Sequence, residues 1–403
     1  FSSKMKVLFS SLIFLIFISR PVLAQDDPAD PFGIYGAVCL VGQEELYNPA
    51  DAFGVPWFEV NLDEDPMTRW STVGKVYGKK MGATIQTVKA MVGIILDGLL
   101  WDVLIQLMNT AYPQIPQPYR DELKGMADAS GVSIEELTLL NLFYEISKGC
   151  TSVVAEDPNG VIYHARNQDF GTFFIWEGPE NHQWAQTERL RDLLINVNFV
   201  KGGQVVYKGV TFAGHLGVLT GLKPHAFTLS TNARFGSTMS NLISFLANGP
   251  MGRQFLIYAD RDVLEKANNY PEAMDYLQNT PLFAYGYFIV GGSLPGEGAI
   301  ITRNPNGTEH VQTIDHTQPN GWYVLQTNYD WDKKVLYLDD RRGPGHKCMN
   351  ELSQENVGFS GLFQVLSSKP NLNKATVYTT VMQVNTPVLE SYIQRCQDPC
   401  WFV

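Results

Sequence analysis

Apolar positions in the first 149 residues recur every three or four places, and from residue 150 onward they come in short alternating runs. The first period predicts helices and the second predicts strands. Trp57-Phe58-Glu59-Val60-Asn61-Leu62 is an early exception, alternating as a strand does. From about Pro66 to Met108 the pattern is that of one or two helices, most apolar over residues 90 to 108. Asp97 and Asp102 inside that stretch, with Lys89 just before it, argue against a membrane span. Two readings remain for it: a core helix, or a helix with one face covering an apolar groove or touching a membrane surface. Pro113 to Pro118 forms a break. Tyr119 to Ala129 is then helical and closed by Gly131, and Ser133, followed by Glu135 and Glu136, caps a helix that runs to about Tyr144.

After residue 150 the strands are TSVVAED and VIYHARN, joined through Pro158-Asn159-Gly160, a strong hairpin signal. Further strands are expected within residues 193 to 214, 285 to 292, 298 to 304 and 321 to 330, and near Ala375 to Gln383. Helices are expected near Ser240 to Ala247, Asp260 to Gln278 and Gly361 to Leu366. There are no internal repeats. The pattern is α+β, with helices packed on stacked antiparallel sheets.

Residues 7 to 18 form a twelve-residue apolar run flanked by Lys4 and Lys6 before it and by Val22-Leu23-Ala24 after it. That is the form of a secretory signal peptide, expected over residues 1–24 with Met5 as the start and cleavage after Ala24. Removing Lys4, Lys6 and Arg20 takes the formal net charge from -11 to -14. Such a balance excludes nucleic acid as a partner and suits work in acid, where protonated carboxylates relieve self-repulsion. The secretory route favours disulfides. Of the five cysteines, Cys396 and Cys400 are near enough to close a small loop, and Cys39 could reach Cys348, which leaves Cys150 over. Other pairings satisfy the spacing equally.

Cys150 opens the first strand run, and Arg166 and Asp169 follow at hairpin distance. No histidine among the seven sits in a catalytic signature, and the local cysteine motif of papain-like proteases is absent. A third way to activate a thiol is the α-amine of the cysteine itself, exposed by cutting the chain between Gly149 and Cys150. Arg166 would lower the pKa of that amine, and Asp169 would accept its hydrogen bonds. The plain alternative is that Arg166 and Asp169 make an ordinary ion pair at a strand end. Asn306-Gly307-Thr308 is the one glycosylation sequon found, placed in a turn between strands. No metal motif is present, and no cofactor is expected.

Cys150-Thr151-Ser152, with His164-Ala165-Arg166-Asn167-Gln168-Asp169-Phe170-Gly171, resembles the acid ceramidases and the related N-acylethanolamine-hydrolysing acid amidases. Phe212-Ala213-Gly214, Leu219-Thr220-Gly221, Gln326-Thr327-Asn328-Tyr329-Asp330, Asp339-Asp340-Arg341-Arg342 and Thr376-Val377-Tyr378-Thr379-Thr380 extend the resemblance from about Pro56 to Pro399. It implies a lysosomal N-terminal-nucleophile hydrolase with a four-layer αββα core, also secreted if lysosomal delivery is incomplete. A helical α subunit, residues 25–149, would be cut from a catalytic β subunit, residues 150–403. By the same resemblance Cys150 is the nucleophile, Arg166 and Asp169 position its amine, Asn328 supplies an oxyanion donor and Arg341 lies in the polar wall. Ceramide is the implied substrate, with a saposin-type activator and an anionic lipid surface as partners. Cys39, Cys348, Cys396 and Cys400 match the ceramidase branch, in which one bridge ties the subunits and another closes a terminal loop. The alternatives are the amidase branch, or a secreted, unprocessed lipid-binding protein. Where the relatives carry a glutamate in an Asn-Glu-Arg run, this chain has Asn232-Ala233-Arg234.

Overall fold

The computed structural model describes residues 38–96, 99–143, 149–170, 176–177, 183–236, 241, 244–246, 248–336 and 339–400. The expected signal peptide lies outside them. Strand β1 (Trp57–Asn61) precedes helices α1 (Ser71–Leu96), α2 (Leu99–Ala111), α3 (Tyr119–Ser130) and α4 (Ile134–Phe143). Next come β2 (Gly149–Glu156), β3 (Ile162–Asp169), β4 (Trp176–Glu177), β5 (Gln183–Trp184) and α5 (Ala185–Arg191). The chain continues as β6 (Leu194–Lys201), β7 (Gln204–Phe212), β8 (Thr220–Lys223), β9 (Phe227–Ala233), α6 (Leu256–Lys266) and α7 (Tyr270–Asn279). It ends with β10 (Gly286–Gly291), β11 (Gly298–Asn304), β12 (Gly307–Thr313), β13 (Tyr323–Gln326), α8 (Arg342–Leu352), α9 (Phe359–Ser367), β14 (Thr376–Gln383) and β15 (Val388–Tyr392).

Two sheets face each other. The larger has the order β1-β6-β7-β8-β9-β10-β11-β12 and the smaller β13-β2-β3-β14-β15. Strand β2 packs on β9, β10 and β11 across the gap, α6 and α7 lie on the larger sheet, and α8 and α9 lie on the smaller one. The architecture is α+β in four layers, αββα. Helix α1 buries Trp70 just ahead of it and Val73, Tyr77, Met81, Ile85 and Val88 along one face, at the spacing the helical period requires. Its Gly78 lets α3 approach, since a Cβ there would stand 2.3 Å from the Ser130 carbonyl oxygen. Ser133 and Glu136 form the reciprocal cap that starts α4. In α2, Trp101 and Met108 are buried, while Val103, Leu104 and Leu107 remain half-exposed. No helix among the described residues is long and apolar enough to cross a membrane.

The β2–β3 hairpin turns where Asn159-Gly160 predicts. Gly160 has φ +79°, which costs a glycine little, and Asp157 Oδ1 accepts from the amides of Asn159 and Val161. The single helix expected over residues 260 to 278 is two helices. Asn269 caps α7 by accepting from the Glu272 amide, and Pro271 follows in its first turn. Strand β1 pairs parallel with β6, so the segment before Cys150 is sewn into the larger sheet. Cys39 is bonded to Cys348 and Cys396 to Cys400. Cys150 is in neither bridge and is buried.

Candidate active site

Strand pairing places Cys150 opposite Gln168 and Ser152 opposite Arg166, so the cysteine and arginine side chains share the face of the smaller sheet turned toward the larger. Arg166 Nη2 donates to Cys150 Sγ at 2.7 Å. Arg166 is itself fixed by the Leu219 carbonyl at 2.7 Å and by Thr220 Oγ1 at 2.9 Å, and Thr220 is bonded to the Tyr378 hydroxyl. Both the guanidinium and the sulfur are fully buried, so the contact is shielded from water.

The backbone of Cys150 meets a second group of residues. Its N–H donates to Asn328 Oδ1 at 2.9 Å, and its carbonyl accepts from Arg341 Nη1 at 2.8 Å. Arg341 also bonds Asp169 Oδ2 at 3.0 Å, Asn328 Oδ1 at 2.8 Å and Asp339 Oδ1 at 2.9 Å. Asp169 accepts from Thr376 Oγ1 at 2.6 Å through its other oxygen. Burial pushes the Asp169 carboxyl above the ordinary range, against the pull of Arg341, Thr376 and Asn373. Burial works against the Arg341 charge, but Asp339 and Asp169 outweigh it and hold the guanidinium ionised. Gly149 sits against this group: a Cβ there would be 3.1 Å from the Asp169 Cβ.

All five expected residues, Cys150, Arg166, Asp169, Asn328 and Arg341, therefore come together around Cys150. In the continuous chain, where Cys150 has no α-amine, each makes a distinct contact. Arg166 serves the sulfur, and the Cys150 N–H goes to Asn328 rather than to Asp169, which reaches the cysteine through Arg341. Asn328 Nδ2, the expected oxyanion donor, bonds the Ala233 carbonyl at 2.8 Å in the continuous chain. Arg341 is buried, not a solvated charge. Ala233 lies at the end of β9, next to this cluster, and its backbone carbonyl accepts from Asn328. Sequence reasoning gave no role to Thr220, Thr376 or Tyr378. They lie in runs that carry the resemblance, but only contacts spanning 54 to 207 positions bring them to Arg166 and Asp169. Asn306 is exposed in the β11–β12 turn, with its Oδ1 accepting from Arg253.

His164 is not a partner of Cys150. It lies between the sheets, bonded to Thr228 and Ser230, and burial followed by the Arg166 charge lowers its pKa to about 3. Between pH 6.5 and about 3 the unfolded chain binds a proton that native His164 refuses, so stability falls with pH through that window. The slope from this one group is about 1.4 kcal/mol per pH unit at most. Urea unfolding at stepped pH should show a shallower acid loss in His164→Gln than in the wild type. Equal slopes would remove His164 as a contributor.

Comparisons with known proteins agree with this geometry. Residues 150–330 match the family described as linear amide C-N hydrolases, choloylglycine hydrolase family, and residues 53–111 match that of the beta subunit of N-acylethanolamine-hydrolyzing acid amidase. The chain is 41% identical over 368 residues to a probable acid ceramidase of Caenorhabditis elegans, covering 90% of this chain and 91% of the relative. It is 38% identical over 350 residues to the acid ceramidase of Homo sapiens, covering 86% and 88%. Among solved structures it is similar to a Caenorhabditis elegans N-acylethanolamine-hydrolyzing acid amidase ortholog, at TM-score 0.51 and 32% identity, over 61% of this chain and 100% of that one. Fold and relatives together define a hydrolase of linear amide C–N bonds built on the N-terminal-nucleophile core. Within that class, the chain belongs to the acid ceramidase family.

Proposed function

We propose that this protein is a self-activating cysteine amidase that hydrolyses the amide bond of ceramide to a sphingoid base and a free fatty acid. The observation that carries the proposal is the convergence of Arg166 on Cys150 Sγ and of Asn328 and Arg341 on the Cys150 backbone, with Asp169 holding Arg341. Activation begins with attack of Sγ on the Gly149 carbonyl carbon. The S–C bond forms, the Gly149–Cys150 C–N bond breaks, and the thiol proton passes to the departing amine. Water then hydrolyses the thioester, leaving a carboxylate on Gly149 and a free α-amine on Cys150. Asn328 Oδ1, already the acceptor for that nitrogen, orients the new amine.

In turnover the amine takes the thiol proton as Sγ attacks the substrate amide carbon. Release of Ala233 by Asn328 Nδ2 would free a donor for the developing oxyanion. The proton returns to the leaving nitrogen of the sphingoid base, and water cleaves the acyl thioester. The segment before residue 150 would stay attached after the cut through the β1–β6 pairing and the Cys39–Cys348 bridge. Domain boundaries of 25–149 and 150–403 follow from the same reading.

The relatives named acid ceramidase and the four bridged cysteines favour ceramide. An N-acylethanolamine is the second reading, favoured by the amidase-type match over residues 53–111 and by the structural neighbour. Turnover of ceramide and of palmitoylethanolamide, compared at acid pH on matched acyl chains, separates them. Ceramide is expected to give the larger kcat/KM, and the reverse order would move the protein to the amidase branch. The apolar run before Ala24 and the exposed sequon at Asn306 support passage through the secretory route to the lysosome, with secretion as a second destination. A saposin-type activator and an anionic lipid surface belong to the same proposal. Activity toward ceramide in detergent should rise when anionic vesicles and such an activator are supplied.

A further inference from the structure

A chain of buried polar groups runs between the two sheets beside the site, and its proton directions can be worked out from its far end. Asn232 Nδ2 donates to the carbonyls of Gln326 at 2.9 Å and Thr327 at 3.2 Å, which fixes its Oδ1 toward Ser152. Ser152 Oγ must then donate to Asn232 Oδ1, at 2.8 Å. Having spent its one proton, Ser152 accepts from Ser230 Oγ at 3.0 Å. Ser230 in turn has only acceptor capacity left for His164 Nε2, at 2.9 Å, so that nitrogen carries hydrogen. Burial keeps the imidazole neutral over most of the acid range, which leaves Nδ1 bare and accepting from Thr228 Oγ1 at 2.9 Å. The Gly291 carbonyl stands 3.2 Å from the same hydroxyl, but a proton spent there would leave Nδ1 buried and unsatisfied.

All five side chains are buried, and every donor along the line points toward the end of β13. That end is where the site begins. Asn232 grips Gln326 and Thr327, the two residues before Asn328. One residue on, Ala233 receives Asn328 Nδ2. The ends of β9 and β13 are thus cross-linked twice, and Asn328 Oδ1 is presented to the Cys150 nitrogen and to Arg341.

We propose that the line Thr228–His164–Ser230–Ser152–Asn232 is a positioning device for Asn328, with His164 held as the neutral Nε2–H tautomer. They act through where Asn328 is placed. The catalytic consequence rests on the amidase reading above; the tautomer does not. An aligned line of this kind strengthens each of its bonds, and a broken one loses its direction at the point of damage.

Two measurements test it. Nitrogen-15 NMR of histidine-labelled wild-type protein at pH 5, with His164 assigned by its loss in His164→Gln, should show the proton on Nε2. A proton on Nδ1 would overturn the proposal whether or not the protein is an amidase. The second is kinetic: Ser152→Ala should lower kcat about tenfold to a hundredfold with KM changed less than twofold, since misplacing a reacting group by about 1 Å costs that much. His164→Gln, which keeps an N–H donor toward Ser230, should retain more of kcat than His164→Leu at matched thermal stability. Unchanged kcat in Ser152→Ala, or equal losses in the two His164 variants, would refute the positioning role. A wild type without turnover would instead count against the amidase reading and leave the NMR result to decide the tautomer.

Discussion

Replacing Cys150 with alanine is expected to abolish amide hydrolysis, lowering turnover by about 10⁴-fold or more, as removal of the nucleophile does in enzymes that act through an acyl intermediate. The side chain is the only sulfur in the cluster, and Arg166 is aimed at it from 2.7 Å. Of the described histidines, His164 is occupied between the sheets and His215 is bonded to Thr211. The substitution removes one atom from a close-packed strand, so the fold should persist and the loss should be chemical. Release of a fluorescent fatty acid from labelled ceramide, on protein whose circular dichroism matches the wild type, gives the number. Residual activity above about a hundredth of wild type would place the nucleophile elsewhere.

Arg341→Met should produce the largest combined loss of stability and activity. The guanidinium bonds Asp169, Asp339, Asn328 and the Cys150 carbonyl, all within 3.1 Å and nearly all buried. Methionine fills much of the volume but leaves two carboxylates without their cation. Removing one partner of a buried ion pair costs about 3–5 kcal/mol, because the remaining charge stays desolvated. Asp169, already raised by burial, would take up a proton at higher pH still, and the clamp on the Cys150 backbone would be gone. Urea unfolding at neutral pH should show the loss and ceramide turnover should fall with it. Arg341→Lys should recover part of the stability but little turnover, since an ammonium cannot span four acceptors in one plane. A change below about 0.5 kcal/mol, within the range of ordinary surface substitutions, would mean that the cluster is not the keystone its contacts suggest.

Much of this was legible from local pattern. The Asn159-Gly160 turn, the Ser133 cap and the helical face of α1 are set by residues within a few positions of one another, and the structure has each of them. The break between α6 and α7 was also written locally, in Asn269 and Pro271, but the apolar period on either side masks it. Strands β8, β9, β12 and β15 escaped because they are short or carry polar residues on both faces, as in Thr220-Gly221-Leu222-Lys223, and only pairing within a sheet, the larger for the first three and the smaller for β15, makes them strands. In the site, the residue types were legible and their partners were not. Arg166 and Asp169 are only three positions apart, yet one faces the sulfur and the other faces Arg341, because residues an odd number of positions apart leave a strand on opposite faces. The contact of Asn328 with Cys150 spans 178 positions, and no periodicity reports it. The same holds for the line from Thr228 to Asn232, whose members look like unremarkable strand polar residues until the two sheets are stacked.

The measurement that tests the central claim most directly is the intact mass of the purified wild-type protein held at acid pH, taken before and after reduction. Self-activation predicts one species heavier by a single water before reduction, because Cys39–Cys348 still joins the two pieces. After reduction it predicts two species, the larger beginning at Cys150. One uncut chain of unchanged mass under both conditions would contradict the claim that the chain frees its own cysteine.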